Sequence, residues 1–237
     1  KTIQLIIRIL DYSPQEAKAI APPPLATGKL KMPGEELRYE ILYQNRKAGE
    51  YTAHLQTAAD GGFSLQESIE VSIFGANFVT QSELLMDAGG YVLVYSEAGI
   101  WESSEREREF SFGGVIKYIG RHGAQKVEKE IPRVFQDEVQ VDPYKLAQWG
   151  LLAFRLAVGV EEKTVKTVTV FGADKQRYTN ITATIRPCPV ECGGSMVDGW
   201  LCAMSGGQYE QVLYLTGDGV LTRVEIPGLR IRAVLVE

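Results

Sequence analysis

Histidine and cysteine are scarce in this chain of 237 residues, with two of the first and three of the second. Most nucleophilic and metal-assisted hydrolytic sites draw on those side chains. A site of that kind would have to use His54 or His122, or the cysteines Cys188, Cys192 and Cys202. His54 falls in an expected strand and His122 in an Arg121-His122-Gly123 turn, with no partner residue in view for either. No second closely spaced cysteine pair supplies the fourth ligand a zinc site needs, so no metal ligand is assigned. There is no P-loop and no Gly-x-Gly-x-x-Gly between a strand and a helix, which leaves nucleotide and dinucleotide cofactors without support. Gly193-Gly194-Ser195-Met196-Val197 lacks the second glycine of a nucleophile elbow. Acidic pairs such as Glu35/Glu36 and Asp137/Glu138 are indistinguishable from solvated charge until their separation is known. No catalytic residue, cofactor or metal is therefore expected, and a hydrolase with an unrecognised site is the weakest of three readings.

Long apolar runs and positive charge are also lacking. No stretch approaches the roughly 20 apolar residues of a membrane-spanning helix. The net charge of −5 disfavours nucleic acid, whose phosphates call for a clustered basic face. The apolar run Ile3–Leu10 is short, interrupted by Arg8 and not followed by a small-residue cleavage site, so it makes a poor signal peptide.

What is present is alternation. Hydrophobic residues at 45% and charged residues at 23% are ordinary for a chain with a sizeable core. From Leu37 the period is two: Leu37, Tyr39, Ile41 and Tyr43 share one face. Further strands are expected over 51–57, 63–74, 78–86, 91–95, 100–112, 115–119 and 125–131. After the middle of the chain they resume over 164–170, 177–186, 196–204, 208–215, 221–226 and 229–236, with Thr216-Gly217-Asp218-Gly219 a hairpin turn. The charged run Glu102–Glu109 reads as a solvated or edge strand. One helix is expected, at about 143–157. Asp142 is its N-cap acceptor, Pro143 its first residue, and Leu146, Trp149, Ala153 and Leu156 form one apolar face. Trp149 reads as that face's core anchor, with a ligand platform as the alternative; Tyr39 and Tyr43 join it as candidate ligand wall. No fixed-period repeat is visible.

The first 32 residues differ from the rest. Ile3, Leu5, Ile7 and Ile9 form a strand-like arm joined by Pro22-Pro23-Pro24, a stiff spacer, to a single β-rich domain over 33–237. An apolar strand must pair somewhere, with its own sheet or with a neighbouring molecule, so the arm is a candidate assembly strand for self-association. Cys188 and Cys192 flank Pro189-Val190-Glu191 in an expected turn, which favours a loop-stapling disulfide, with three reduced thiols as the alternative.

The order of several short motifs resembles the domain-of-unknown-function family 3108 of bacterial exported proteins. They are Pro33-Gly34-Glu35-Glu36-Leu37-Arg38-Tyr39-Glu40-Ile41, the Lys47-Ala48-Gly49-Glu50 turn, Arg108-Glu109-Phe110-Ser111-Phe112, and Lys129-Glu130-Ile131-Pro132 with Gln136-Asp137. The helix ending in Phe154-Arg155-Leu156 and Gly159 follows, then Gly217-Asp218-Gly219-Val220-Leu221-Thr222-Arg223 and the strand from Arg232 to Val236. The resemblance covers about residue 33 to the end. It implies an all-β, curled antiparallel sheet or half-open barrel covered by the helix, located in the periplasm or cell envelope. The role it implies is non-enzymatic, binding an apolar ligand such as a lipid, or an envelope protein, through the curved sheet. An assembly subunit working through the N-terminal strand is the alternative.

Overall fold

The computed structural model describes residues 19–26, 30, 36–58, 60–73, 75–101, 103–134, 139–142, 144–206 and 210–236. The candidate assembly strand Ile3, Leu5, Ile7 and Ile9 lies outside them, as do Pro33-Gly34-Glu35, Gln136-Asp137 and Pro143.

Eight strands open the fold: β1 (Leu37–Tyr43), β2 (Arg46–Thr57), β3 (Phe63–Ile73), β4 (Ala76–Met86), β5 (Val92–Trp101), β6 (Ser104–Phe112), β7 (Ile116–His122) and β8 (Gln125–Ile131). A short β9 (Gln140–Val141) precedes the helix α1 (Leu146–Ala157). Six strands follow: β10 (Thr164–Gly172), β11 (Arg177–Cys192), β12 (Ser195–Ser205), β13 (Gln211–Thr216), β14 (Leu221–Ile226) and β15 (Ile231–Leu235). All fifteen form one sheet, running β8 to β1, then β15 down to β9. Every neighbouring pair is antiparallel except β9 with β10. The chain's two halves therefore meet in the middle of the sheet, where Tyr39 pairs with Leu235 and Tyr43 with Ile231.

The alternation seen in the sequence sets this architecture. In β3, Phe63, Leu65, Glu67, Ile69 and Val71 are buried, while Gln66 and Glu70 face water. The β1–β2 turn needs only Gln44 and Asn45, both at positive φ, as a two-residue hairpin of this twist requires. The sheet curls on itself without closing. Phe110 and Phe112 of β6 lie 5.6 Å from Phe171 of β10, although these strands belong to opposite ends of the strand order.

The helix fills the space inside the curl. Of its twelve residues only Ala147 and Leu151 are not buried, and Leu152, Ala153, Phe154, Leu156 and Ala157 are fully enclosed. A helix apolar on nearly every face belongs inside a core, so α1 is a central plug and not a cover packed on one side. At Gly150 any Cβ would lie 3.3 Å from the Leu221 side chain, which explains a helix-weakening residue in mid-helix. The helix begins at Leu146, later than expected, and no side chain caps it.

Three further expectations are corrected. The segment expected as one strand over 100–112 is a hairpin, with β5 ending at Trp101 and β6 starting at Ser104. The prolines near residue 188 do not make a turn: β11 runs through Pro187 and Pro189 to Cys192, and the turn is Gly193-Gly194. Pairing with β10 stops at Ile185, so these prolines lie on an open edge where a missing N–H breaks no ladder. Cys188 and Cys192 consequently lie four residues apart along one extended strand, about 13 Å. A disulfide needs Cα atoms within about 7 Å, and all three cysteines are free. Finally, residues 19–26 pack against the domain: Thr169 N–H donates to Ile20 O (2.8 Å), Leu25 N–H to Gly89 O (2.8 Å) and Arg155 to Pro23 O (2.8 Å).

Candidate functional site

Where α1 enters the curl, its first residues meet a set of charged side chains from β3 to β6. Arg108 Nε donates to Glu97 Oε2 (2.5 Å), and its other arm bonds Asp142. Lys145 Nζ lies 3.0 Å from Glu97 Oε1 and donates to Thr80 Oγ1 at 2.8 Å. Asp142 and Lys145 are fully buried. Asp142 also accepts from the Tyr144 N–H (3.1 Å) through Oδ1, while its main-chain oxygen accepts the Trp149 indole N–H (2.8 Å). The residue expected as a helix cap thus spends its carboxylate on Arg108.

The cap comes from the sheet instead. The Ala147 N–H donates to the Tyr51 hydroxyl (2.8 Å), which donates in turn to Glu67. Gln148 Nε2 (2.8 Å) and Ser82 Oγ (3.3 Å) donate to the other oxygen of Glu67. This relay satisfies one of the orphan N–H groups of the helix start and sets an acid near its positive end.

Three carboxyl groups here face two cations. Burial pushes the Glu67 carboxyl above its usual range, opposed by Lys145 and by its hydrogen bonds with Tyr51 and Gln148. Burial also raises Asp142, with the Arg108 guanidinium pulling the other way. For Glu97 burial again acts upward, but Arg108 and Lys145 outweigh it and hold the carboxyl below its usual range. Burial works against the charge of Arg108, and Asp142, Tyr95 and Glu97 more than offset it. The cluster is therefore a fixed ionic floor.

Above this floor opens a cavity of about 660 Å³. Glu97 and Arg108 line it, with Trp101, Tyr118 and Tyr144 as aromatic wall and Arg106, Arg121, His122, Asp174 and Gln176 around them. A second cavity, of about 180 Å³, is almost wholly apolar. Ile41, Ile69, Val71, Ile73, Phe78, Val224, Ile226, Leu229, Ile231 and Ala233 line it, together with Thr80, Leu146, Trp101 and Tyr144. Trp101 and Tyr144 border both cavities and meet edge to face, 5.2 Å between ring centroids. The result is a cleft with a greasy pocket on one side of an aromatic pair and a polar chamber on the other.

The residues expected to form a ligand wall lie elsewhere. Trp149 is 2% exposed, and Tyr39, 1% exposed, donates to Leu221 O (2.9 Å) inside the core. Tyr43 is half-buried and its hydroxyl accepts from Gln44 Nε2 (3.0 Å). None of the three borders either cavity. His54 lies on the outer face of β2 beside Gln56 (3.2 Å), and His122 ends β7, exposed. Among the described residues neither histidine has a hydrogen bond to a hydroxyl, thiol or carboxylate, and no group of three or more metal-ligating side chains occurs. No described helix is long and apolar enough to cross a membrane.

One signal for the site was present in the sequence. Arg106 and Arg108 keep the phase of Phe110 and Phe112, which are buried, so half of the charged run faces inward with them. The contributions of Trp101, Glu97 and Tyr144 carry no local signal, because the curl alone brings them together.

No protein-family model matches the chain, and no curated protein matches it. Among solved structures it is similar to a β-barrel-like protein of the domain of unknown function DUF1849 from Brucella abortus. The two are 13% identical over 92% of this chain and 98% of that one, with a TM-score of 0.54. A DUF1089 family protein from Pseudomonas aeruginosa is 14% identical over 76% of this chain and 90% of that one, with a TM-score of 0.47. At such identities the likeness concerns architecture alone, and it agrees with a β-barrel-like sheet that curls without closing.

Proposed function

We propose that this is a non-catalytic binding protein of the bacterial cell envelope, which holds an apolar ligand in the cleft bordered by Trp101 and Tyr144. The observation that carries the reading is the apolar cavity itself: about 180 Å³ of unfilled space walled by isoleucines and valines in an otherwise packed interior. Core side chains ordinarily leave few voids of that size. The absence of a hydrogen-bonded histidine–nucleophile pair among the described residues supports binding over catalysis. The envelope location, and kinship with the family of unknown function 3108, rest on the order of the motifs described above.

The test is to fill the pocket. Val224 borders the cavity and is otherwise buried. Titrating octanol into the full chain by calorimetry should show saturable binding, and Val224→Phe should weaken it at least tenfold while the protein stays folded by circular dichroism. Unchanged octanol affinity in that variant, or no binding to the natural chain, would overturn the reading.

A further inference from the structure

The polar chamber beside the apolar pocket has a charge that the pocket alone does not explain. Arg108 is committed to Glu97 and Asp142, and Arg121 to Glu107 at 3.2 Å. Arg106 differs. Its guanidinium stands 5.6 Å over the Trp101 ring, and among the described residues it has no carboxylate partner. Trp101 is the residue shared by the two cavities, so this unspent cation sits at the junction between greasy and polar space. Asp174 also lines the chamber, on the side of the β10–β11 turn and folded over Gly172.

We propose that the ligand is an anionic amphiphile: a carboxylate, or an acid of similar charge, with a short apolar tail. Its acidic group bonds Arg106, and its tail passes Trp101 and Tyr144 into the apolar pocket. This rests on the binding reading above and adds the head-group chemistry to it. A guanidinium held flat against an indole keeps its edge N–H donors available to a carboxylate, which it can bind with two parallel hydrogen bonds. The pocket also limits the tail. Its volume of about 180 Å³ equals that of about six waters in the liquid. It therefore holds a tail of roughly that many heavy atoms, and longer chains leave their excess in water.

Calorimetric titration of the full chain with hexanoate, octanoate and decanoate, each against the alcohol of equal length, tests both statements. We expect each acid to bind about tenfold tighter than its alcohol, as a hydrogen bond to a charged group implies. We expect about fourfold gain per methylene from hexanoate to octanoate and little beyond. In Arg106→Gln the acid should fall to the affinity of the alcohol, with alcohol binding unchanged, and Arg106→Lys should restore part of the difference. Added salt should weaken the acids and leave the alcohols alone. Equal binding of acids and alcohols to the natural chain would overturn the head-group assignment and leave the apolar-ligand reading standing. A preference for acids that survives Arg106→Gln would overturn the role of Arg106. Binding of neither series would overturn both readings.

Discussion

The two halves of the sheet treat the same helix in opposite ways. The first half presents Tyr51, Glu67, Thr80, Ser82 and Glu97 to the start of α1, with Arg108 beside them. The second half presents Val168, Val170, Ile181, Ala183, Ile185, Leu213, Leu215 and Val224, and its buried polar residues (Thr169, Gln211, Thr216 and Thr222) are all neutral. Buried ion pairs seldom add net stability, because desolvation roughly cancels their attraction, whereas apolar burial contributes about 25 cal/mol per Å². The comparison teaches a division of labour. The second half holds the helix in place, and the first half keeps an ionic floor that is of use only because a cavity opens above it.

The sharpest way to break that comparison is to remove charge from one half and volume from the other. Asp142→Ala leaves Arg108 short of one of its two carboxylates, and we expect a loss of about 3–5 kcal/mol in urea unfolding. Ile181→Ala, deep in the apolar half, should cost about 2–5 kcal/mol. The double replacement Arg108→Met with Asp142→Leu separates the cases. If the ionic floor is not a net stabiliser, the pair should recover most of what Asp142→Ala loses. A double variant as unstable as the single one would show that the charged half also holds the fold together.

The same contrast explains what was legible in the sequence. Strands such as β1 and β3 were readable because one face is buried throughout, so Leu65, Ile69 and Val71 mark their own phase. Reading failed where local pattern and global shape part company. The charged run around Ser103 hides a turn, and β11 passes through Pro187 and Pro189 because an open edge tolerates them. Trp149 was correctly read as core, yet the helix is surrounded on nearly all sides, which no single face of its sequence can report. The ionic floor joins Glu67, Glu97, Arg108, Asp142 and Lys145 from four elements, and only the closing of the sheet makes them neighbours.

A smaller effect sharpens the electrostatic side. Among the described residues Glu67 has no cation in hydrogen-bonding contact, and burial raises its carboxyl above the usual range. A carboxyl raised on folding contributes stability that is fully present below its unfolded range, near pH 4, and lost as pH rises through its folded value. Glu67→Gln mimics the protonated form and removes this dependence. Unfolding free energies of the natural chain and of Glu67→Gln should therefore lie close together near pH 4, with the natural chain falling behind as pH rises. A gap independent of pH would mean that Glu67 keeps its charge in the fold.

The smallest effects belong to the cysteines, which report on the apolar half without disturbing it. Cys188 and Cys192 are half-buried and unlinked, so replacing either with serine should change stability by no more than about 0.5 kcal/mol, and reductant should leave the melting temperature unmoved. Cys202 is fully buried, and burial, with Cys188 adding to it, pushes its thiol up to about 12. A thiol in that state reacts only when the strands around it open. Labelling should therefore modify Cys188 and Cys192 quickly and Cys202 only at the rate of opening of the second half. Ile181→Ala should speed the labelling of Cys202 in proportion to its loss of stability. Arg106→Gln, confined to the cleft, should not alter it, and a change there would show that the site and the half that carries the helix do not act separately.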